Sequence, residues 1–287
     1  MSSYFSFHRT VSKPIEDAPI TSLAEHEASA LSALDERINH IFLPSDTKLH
    51  AHDPWLTLTE QQRHCLLIRF LRYNLLHIEN ARSHIHKVAT WRSTQRPWNL
   101  PISDMQGTPA GIPILSDVIR GREGDVLIFI PTRYYQKSLV DRSAQVTAIK
   151  AFFEYCSYAA HGLKATSGIM LVDFAALQLK QVDLVALKNA INIFLSFYPE
   201  VLKKVILVNY PRWIHGTWKC IVPLLDARTI AKVVWMHNGD ALRTELHKYY
   251  DPEHLPLWLG GECKNGTMRL YSGYQLCPEE CMAKLWS

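Results

Sequence analysis

One stretch of the chain, residues 197–213, decides the fold, and it reads FYPEVLKKVILVNYPRW. Its apolar centre, Val205 to Val208, is typical of a buried strand, and Asn209 to Pro211 end it. A helix follows with apolar residues at helical spacing on one face, namely Ile214, Trp218, Ile221, Val222 and Leu225. Periodicity alone favours ordinary core packing for this face. The alternative is that the helix covers a cavity or lies on a membrane, which indicates binding rather than catalysis.

The second half of the chain alternates between strand-like and helix-like segments. Short runs rich in Val and Ile occupy residues 126–130, 169–172, 205–208 and 233–236, and helical patterns follow at 143–161, 182–197, 214–225 and 239–248. Strands separated by helices predict a mostly parallel sheet, because parallel strands need crossover connections. The segment Ile112 to Leu115 is predicted as an edge strand, since Pro113 disfavours a central position. The expected fold class is α/β, a mostly parallel mixed sheet with flanking helices.

The first hundred residues have a different, helical pattern. Residues 1–20 contain two prolines and predict a flexible arm, and helical periodicity follows from Ser22 to Phe42. A second helical region opens at Thr59, bends near Asn74 and ends at Trp91. The simplest interpretation is a pair of antiparallel helices. The predicted organisation is an arm (1–20), a helical lobe (21–100), an α/β domain (101–261) and a C-terminal extension (262–287).

Composition narrows the class of protein. The 287 residues are 47% hydrophobic and carry a net charge of +4, which suits an anionic surface but falls short of a nucleic-acid-binding footprint. No apolar run reaches the roughly 18 to 20 residues that span a bilayer. The N-terminus lacks a signal-peptide pattern, and the six cysteines are scattered singly. These features predict a monomeric, cytoplasmic protein that binds no nucleic acid.

Motifs for catalysis or metal binding are absent from the sequence. It has no nucleophile elbow, P-loop or dinucleotide fingerprint. His84 and His86 stand two apart, so on a helix they point to different faces and cannot chelate one ion. Asp173 ends an apolar strand, where ligand sites form in α/β sheets, but bracing of the next loop is the favoured interpretation. We therefore predict no catalytic residue, no metal and no cofactor.

Six motifs in order give the chain a family resemblance. They are residues 66–72 (LLIRFLR), 168–174 (GIMLVDF), 198–200 (YPE), 208–211 (VNYP), 223–226 (PLLD) and 255–261 (LPLWLGG). Over about residues 59–261 the chain resembles the CRAL-TRIO lipid-binding family, which includes phosphatidylinositol transfer proteins and retinaldehyde- and tocopherol-binding proteins. The resemblance implies that the α/β domain encloses one apolar cavity. It also implies a mobile gate at about 212–228, whose face of Ile214, Trp218, Ile221 and Leu225 closes the cavity or enters the membrane interface.

The same resemblance implies candidates for recognition of a lipid headgroup. Glu200, Thr229 and Lys232 match the positions that surround the inositol phosphate in phosphatidylinositol-binding members. Asn74 stands where the family has a further Arg. Gly168 and Met170 replace the Ser and Thr that hold phosphatidylcholine, so we expect phosphatidylcholine to be bound weakly.

Two alternatives remain open at this stage. Arg228 and Lys232 lie four apart and resemble the basic pair with which the tocopherol and retinaldehyde branch contacts membrane phosphoinositide. In that case the cavity holds a neutral hydrophobic ligand of tocopherol, retinoid or sterol type. The other alternative is a lipid-regulated adaptor. The leading prediction is a non-enzymatic carrier of phosphatidylinositol or a phosphoinositide, whose partners are the lipid and a transiently contacted membrane surface.

Overall fold

A computed structural model describes residues 23–43, 48–100, 114–123, 125–132, 142–162, 167–262 and 269–270. The predicted arm at residues 1–20 lies outside these ranges. Of the predicted extension, only Glu262, Arg269 and Leu270 are described. None of the helices in the described ranges is long and apolar enough to cross a membrane.

Three helices form the N-terminal part, as the sequence predicted. They are α1 (Glu25–Ile38), α2 (Glu60–Tyr73) and α3 (Ile78–Gln95). Thr59 starts α2 with a capping box, in which its hydroxyl accepts the Gln62 amide and the Gln62 side chain accepts the Thr59 amide. The apolar stripes of the three helices meet in one core, whose fully buried members include Leu34, Ile38, Leu67, Leu71 and Ile85.

A six-stranded mixed sheet forms the centre of the second part. The strands are β1 (Ile114–Arg120), β2 (Val126–Pro131), β3 (Gly168–Asp173), β4 (Leu202–Val208), β5 (Val233–Trp235) and β6 (Arg269–Leu270). Their spatial order is β5-β4-β3-β2-β1-β6, with β2 to β5 parallel and both β1 and β6 antiparallel to their neighbours. The prediction of an α/β fold with a mostly parallel mixed sheet is confirmed.

A strand was predicted at Ile112–Leu115 and is present, but it extends further and does not lie at the edge of the sheet; Ile112 and Pro113 lie outside the described ranges. The described strand begins at Ile114 and runs to Arg120, and it pairs with β2 along one side. Along the other side, Ile114 and Leu115 pair with β6. A two-residue strand far along the chain has too little periodicity to be recognised, so the sequence did not show that β1 is covered there.

Helices cover both faces of the sheet. On one face α4 (Arg142–Gly162) and α5 (Leu184–Phe197) pack against Ile128 and Ile130. On the other face α8 (Asp240–Leu246) packs against Leu127 and Phe129. Successive residues of β2 thus point to opposite cores, as the period of two in a strand requires. The prediction of helices after each of the four parallel strands is confirmed.

The segment after β4 differs from the single helix predicted at 214–225. The helix α6 (Ile214–Ile221) gives way to a short 3₁₀ turn at Val222–Leu224, and a separate helix, α7 (Ala227–Ala231), follows. Pro223 explains the break, because its ring clashes with the preceding helical turn and it has no amide proton to donate. Asp226 then caps α7 by accepting the Thr229 amide at 2.8 Å.

A buried ionic network joins the N-terminal helices to the sheet domain. Arg92 of α3 donates to Asp53 at 2.8 Å and to both carboxylate oxygens of Glu154 on α4, also at 2.8 Å. The Tyr198 hydroxyl donates to Glu154 at 3.1 Å. Burial alone would lower the pKa of Arg92, but Glu154 and Asp53 raise it well above its usual range. Arg92 therefore stays charged although it is only 2% exposed.

Candidate functional site

An apolar cavity of about 320 Å³ lies against the face of the sheet that carries α4 and α5. The strands contribute Ile130, Met170, Val172, Val205 and Leu207 to its wall. Helices close it with Ile149, Phe152 and Phe153 from α4 and Leu187, Ala190, Ile191 and Phe194 from α5. Walls of this composition offer almost no hydrogen bonds, so the cavity suits a ligand that is mainly hydrocarbon.

The apolar face predicted for the gate lies on this cavity. Ile214, Trp218, Ile221 and Leu225 all line it, and Ile214 is only 5% exposed. The face therefore points inward in this structure, which matches the arrangement expected of a closed lid. Its role as a gate that opens stays a prediction.

Aromatic contacts hold α6 against the end of the sheet. Trp218 meets Trp235 of β5 edge to face, with ring centroids 5.5 Å apart, and His215 lies 5.2 Å from the same ring. Tyr210, which precedes the helix, packs edge to face on Trp235 at 5.0 Å. Aromatic pairs are worth about 0.5–1.5 kcal/mol each beyond their buried area, so these contacts stabilise the position of α6 against β5.

Eight polar residues line the cavity, and we call four of them the polar cluster, namely Tyr73, Glu200, Thr229 and Lys232; the others are Thr132, Gln181, Asp183 and Thr217. The Lys232 ammonium donates to the Glu200 carboxylate and, at 2.9 Å, to the Leu202 carbonyl. Thr229 donates its hydroxyl to Asp226 at 3.1 Å. The three residues that the sequence proposed for a headgroup, Glu200, Thr229 and Lys232, are thus brought together on one wall.

The backbone of Glu200 is strained, with φ at 52° in the left-handed region. A non-glycine residue there costs of order 1–3 kcal/mol and is retained when the surrounding structure requires it. The Glu200 carboxylate accepts a hydrogen bond from Lys232, the residue before β5. Five other non-glycine residues of the described ranges also have positive φ, so this conformation by itself does not distinguish Glu200 from them.

Arg228 and Lys232 have different surroundings. Lys232 lines the cavity, whereas Arg228 donates to the carbonyls of Arg72 and Tyr73, both at 2.6 Å, and lies 3.7 Å from Glu200. The last carbonyls of a helix lack intrahelical partners, so a cation at the end of α2 satisfies them. In this structure the two cations do not form a shared outward-facing pair. Their predicted contact with membrane phosphoinositide stays a prediction.

Tyr73 is a member of the polar cluster that sequence reasoning missed. It is the last residue of α2, and its ring lies 5.6 Å from the Arg228 guanidinium. Burial raises the pKa of the phenol, and the nearby carboxylates of Asp226 and Glu200 add to the increase against the opposing effect of Arg228. The hydroxyl therefore remains a donor. The only available signal was its place directly after the motif at residues 66–72.

Asp173 braces a loop, as the favoured sequence interpretation had it. Its side chain accepts the Ala175 amide at 2.9 Å and the Asn209 amide group at 2.8 Å, and its carbonyl accepts the Thr132 hydroxyl at 2.9 Å. Asp173 is only 1% exposed, and its Oδ1 atom already accepts two hydrogen bonds. The residue therefore has a structural role at the end of β3.

The histidines considered as metal ligands have separate surroundings. His84 has its Nε2 atom 2.9 Å from the Ser196 carbonyl, while the His86 ring lies 5.9 Å from that of His40. Burial lowers the pKa of His84, which keeps the ring neutral in its contact with α5. Within the described ranges, no cluster of three or more His, Cys, Asp or Glu side chains could hold a metal ion.

Curated proteins similar to this chain match it along parts of their own length. Patellin-2 of Arabidopsis thaliana is 23% identical over 265 residues, which is 87% of this chain and 38% of that protein. Protein real-time of Aedes aegypti is 24% identical over 69% of this chain and 33% of its own length. The phosphatidylinositol/phosphatidylcholine transfer protein SFH11 of Arabidopsis thaliana is 37% identical over 24% of this chain and 18% of its own. The chain thus spans well under half the length of these relatives.

A solved structure and a family model agree on the fold. The crystal structure of Sfh5 aligns with 91% of this chain and 96% of its own, with a TM-score of 0.57 and 16% identity, which shows a shared fold. The model of the CRAL/TRIO domain matches residues 118–261, half of the chain. That range contains the parallel strands, α4 to α8, and all of the cavity wall except Tyr73. The chain therefore belongs to the CRAL/TRIO domain family.

Proposed function

We propose that this protein binds one lipid in its cavity and exchanges it at membranes, with phosphatidylinositol or a phosphoinositide as the preferred lipid. One observation carries the proposal: a single apolar cavity has an ammonium, a carboxylate and a hydroxyl on its wall, from Lys232, Glu200 and Thr229. Walls that are mainly apolar, with two opposite charges and a hydroxyl in the polar cluster, match a molecule that is hydrocarbon over most of its length and polar at one end. The proposal involves no chemical step.

The apolar wall supplies the driving force for binding. Transfer of hydrocarbon from water to such a wall gains about 0.8 kcal/mol for each buried CH₂ group. An acyl chain therefore stays in the protein in aqueous solution, and release into water is prohibitively unfavourable. Exchange then requires contact with a bilayer, which the protein makes transiently and as a monomer.

The polar cluster supports a phosphate-bearing headgroup. Lys232 and Thr229 offer an ammonium and a hydroxyl, both of which donate to phosphate oxygens. Glu200 accepts from inositol hydroxyls, or holds Lys232 until a ligand arrives. Met170 lines the cavity without a hydroxyl, and Gly168 has no side chain, so the groups that hold phosphatidylcholine in the family are missing. The names of two similar proteins, SFH11 and SFH9, as phosphatidylinositol/phosphatidylcholine transfer proteins support a phospholipid ligand and include both headgroups.

The size of the cavity favours a second candidate, a compact neutral hydrophobic ligand. A volume of about 320 Å³ is at the lower end of the roughly 300–1,000 Å³ typical of ligand pockets. A lipid with two acyl chains fits into this volume only if α6 moves outward when the lipid binds. A ligand of tocopherol, retinoid or sterol type demands a smaller movement, and it would leave the Lys232–Glu200 pair intact.

Transfer of fluorescent lipid between donor and acceptor vesicles tests the proposal. Catalytic amounts of the protein are expected to transfer phosphatidylinositol and to transfer phosphatidylcholine at least about tenfold more slowly, the ratio that corresponds to a difference of 1.4 kcal/mol. A labelled sterol and a labelled tocopherol serve as the neutral ligands. Transfer of a neutral ligand alone would favour the second candidate, and transfer of none of these lipids would contradict the proposed function.

A further inference from the structure

A cluster of exposed apolar side chains lies beside the cavity on α5 and the turn before it. Leu179 is 61% exposed, Leu184 45% and Val185 53%, and we call these three residues the apolar patch. They are half of the large apolar side chains that are exposed in the described ranges, and they fall within residues 179–185. None of the three lines the cavity, so ligand packing does not explain them.

The exposed charged residues in the segment that carries the apolar patch are both basic. Within residues 174–197 the charged side chains are Lys180, Asp183 and Lys188. Both lysines are exposed, whereas Asp183 is buried and accepts the amides of Val185 and Ala186 at the start of α5. Lys188 is three and four residues from Val185 and Leu184, which places it on the same side of the helix.

The position of the apolar patch relates it to the cavity. Leu177, Val182 and Leu187 alternate with the patch along the chain, and all three line the cavity. In addition, α5 packs against the Val222–Leu224 turn that ends α6. A surface that covers the patch therefore lies next to both the cavity wall and the segment predicted to open.

Because the apolar face of α6 points inward, the first contact with a membrane requires a different surface. In the closed structure Ile214, Trp218, Ile221 and Leu225 line the cavity, so they are not available for a first contact with a bilayer. We infer that the apolar patch, with Lys180 and Lys188, is the surface by which the closed protein docks on an anionic membrane. Exposed apolar residues flanked by lysines match the interface of such a bilayer, where the apolar groups enter the headgroup region and the cations meet acidic lipids.

The charge pattern favours a membrane over a second copy of the chain. A symmetric dimer through this patch would bring Lys180 and Lys188 of both copies together, with no exposed acid in residues 174–197 to compensate. An anionic bilayer would instead attract both lysines electrostatically. The inference deepens the proposed function, because docking precedes lipid exchange, but docking is measurable without any exchange.

Co-sedimentation of the full chain with vesicles tests the inference. Wild-type protein is expected to bind phosphatidylcholine vesicles that contain phosphatidylserine, and the double variant Leu184→Ser/Val185→Ser to bind them at least about tenfold more weakly. Lys180→Gln/Lys188→Gln should lose the dependence on phosphatidylserine and the sensitivity to salt, since screened surface charges carry that part. Thermal melting should show that both variants fold.

A matched control is Leu257→Ser. Leu257 is 55% exposed, similar to the 53% of Val185, but it begins a turn whose last residue, Leu259, packs into the core on the opposite face of the sheet. Its replacement should leave vesicle binding unchanged. Equal losses in the control and the patch variant, or a patch variant that binds as wild type, would overturn the inference. So would sedimentation showing a dimer that the patch variant abolishes.

Loading from detergent micelles separates this inference from the proposed function. Both patch variants should take up phosphatidylinositol from micelles as the wild type does, because the replaced residues do not line the cavity. Patch-dependent docking by a protein that takes up no lipid would refute the proposed function and leave the docking surface standing. Lipid uptake and transfer that survive loss of the patch would refute the docking surface alone.

Discussion

Replacement of Lys232 by glutamate is expected to reduce phosphatidylinositol transfer at least about 100-fold and to leave the fold intact. Lys232 supplies the positive charge of the polar cluster, and a hydrogen bond to a charged group contributes about 1.5–3 kcal/mol. Reversal of the charge removes the proposed hydrogen bond from Lys232 to the lipid phosphate. It also places a second carboxylate beside Glu200, which repels that phosphate. A loss of about 2.8 kcal/mol corresponds to the stated factor.

The control for this variant is Lys48→Glu. Lys48 has the same side chain and lies exposed in the N-terminal part, outside both the cavity wall and the segment predicted to open. Circular dichroism and thermal melting should show both variants folded. If Lys232→Glu transfers phosphatidylinositol as fast as Lys48→Glu, the assignment of Lys232 to the headgroup is wrong. If neutral ligands alone are bound, and equally by both variants, the second candidate function gains support.

Replacement of Arg92 by leucine is expected to lower the free energy of unfolding by about 3–5 kcal/mol, the cost of breaking a buried ion pair. The loss arises because Asp53 and Glu154, 1% and 8% exposed, are left in a buried site without the guanidinium that donates to both. The Arg92 guanidinium also lies 4.6 Å from the Trp55 ring centroid, a contact that the variant loses. Urea denaturation followed by tryptophan fluorescence measures the change.

Arg37→Leu is the matched control for Arg92→Leu. Arg37 pairs with Glu79 at the surface, where both side chains are about half exposed. Exposed pairs of this kind contribute about 0–1 kcal/mol. Equal losses for the two variants would show that the Arg92 network does not hold the helices to the sheet domain. The network is expected to affect stability without changing which lipid is bound, since Arg92 does not line the cavity.

Local patterns were sufficient to predict most of the fold. The Val- and Ile-rich runs gave the four parallel strands, because a strand buried on both faces needs uninterrupted apolar residues. The helical spacing of Ile214, Trp218 and Ile221 identified the face of α6 that lines the cavity. Structural features that depend on only a few residues were harder to predict. The helix break at Val222 depends on the single residue Pro223, and β6 has only two residues. Both are too short to alter the apolar periodicity of the sequence, so the sequence did not reveal them.

The candidate site was only partly predictable, because its contacts join distant parts of the chain. Glu200, Thr229 and Lys232 were proposed from motif positions, and the structure places them on one wall. Tyr73 comes to that wall from α2, and Arg228 reaches back to the carbonyls of Arg72 and Tyr73. No periodicity links positions more than 150 residues apart. The different environments of Arg228 and Lys232 therefore followed from the structure alone.

The central claim is that the cavity holds one lipid, and the most direct test is to identify what the purified protein carries. Native mass spectrometry of the full chain, followed by organic extraction and lipid analysis, gives both stoichiometry and identity. We expect one lipid per chain, enriched in phosphatidylinositol or a phosphoinositide over phosphatidylcholine, with the bound fraction reduced in Lys232→Glu. A protein that carries no lipid, and that takes up none after incubation with vesicles containing phosphatidylinositol, would contradict the account.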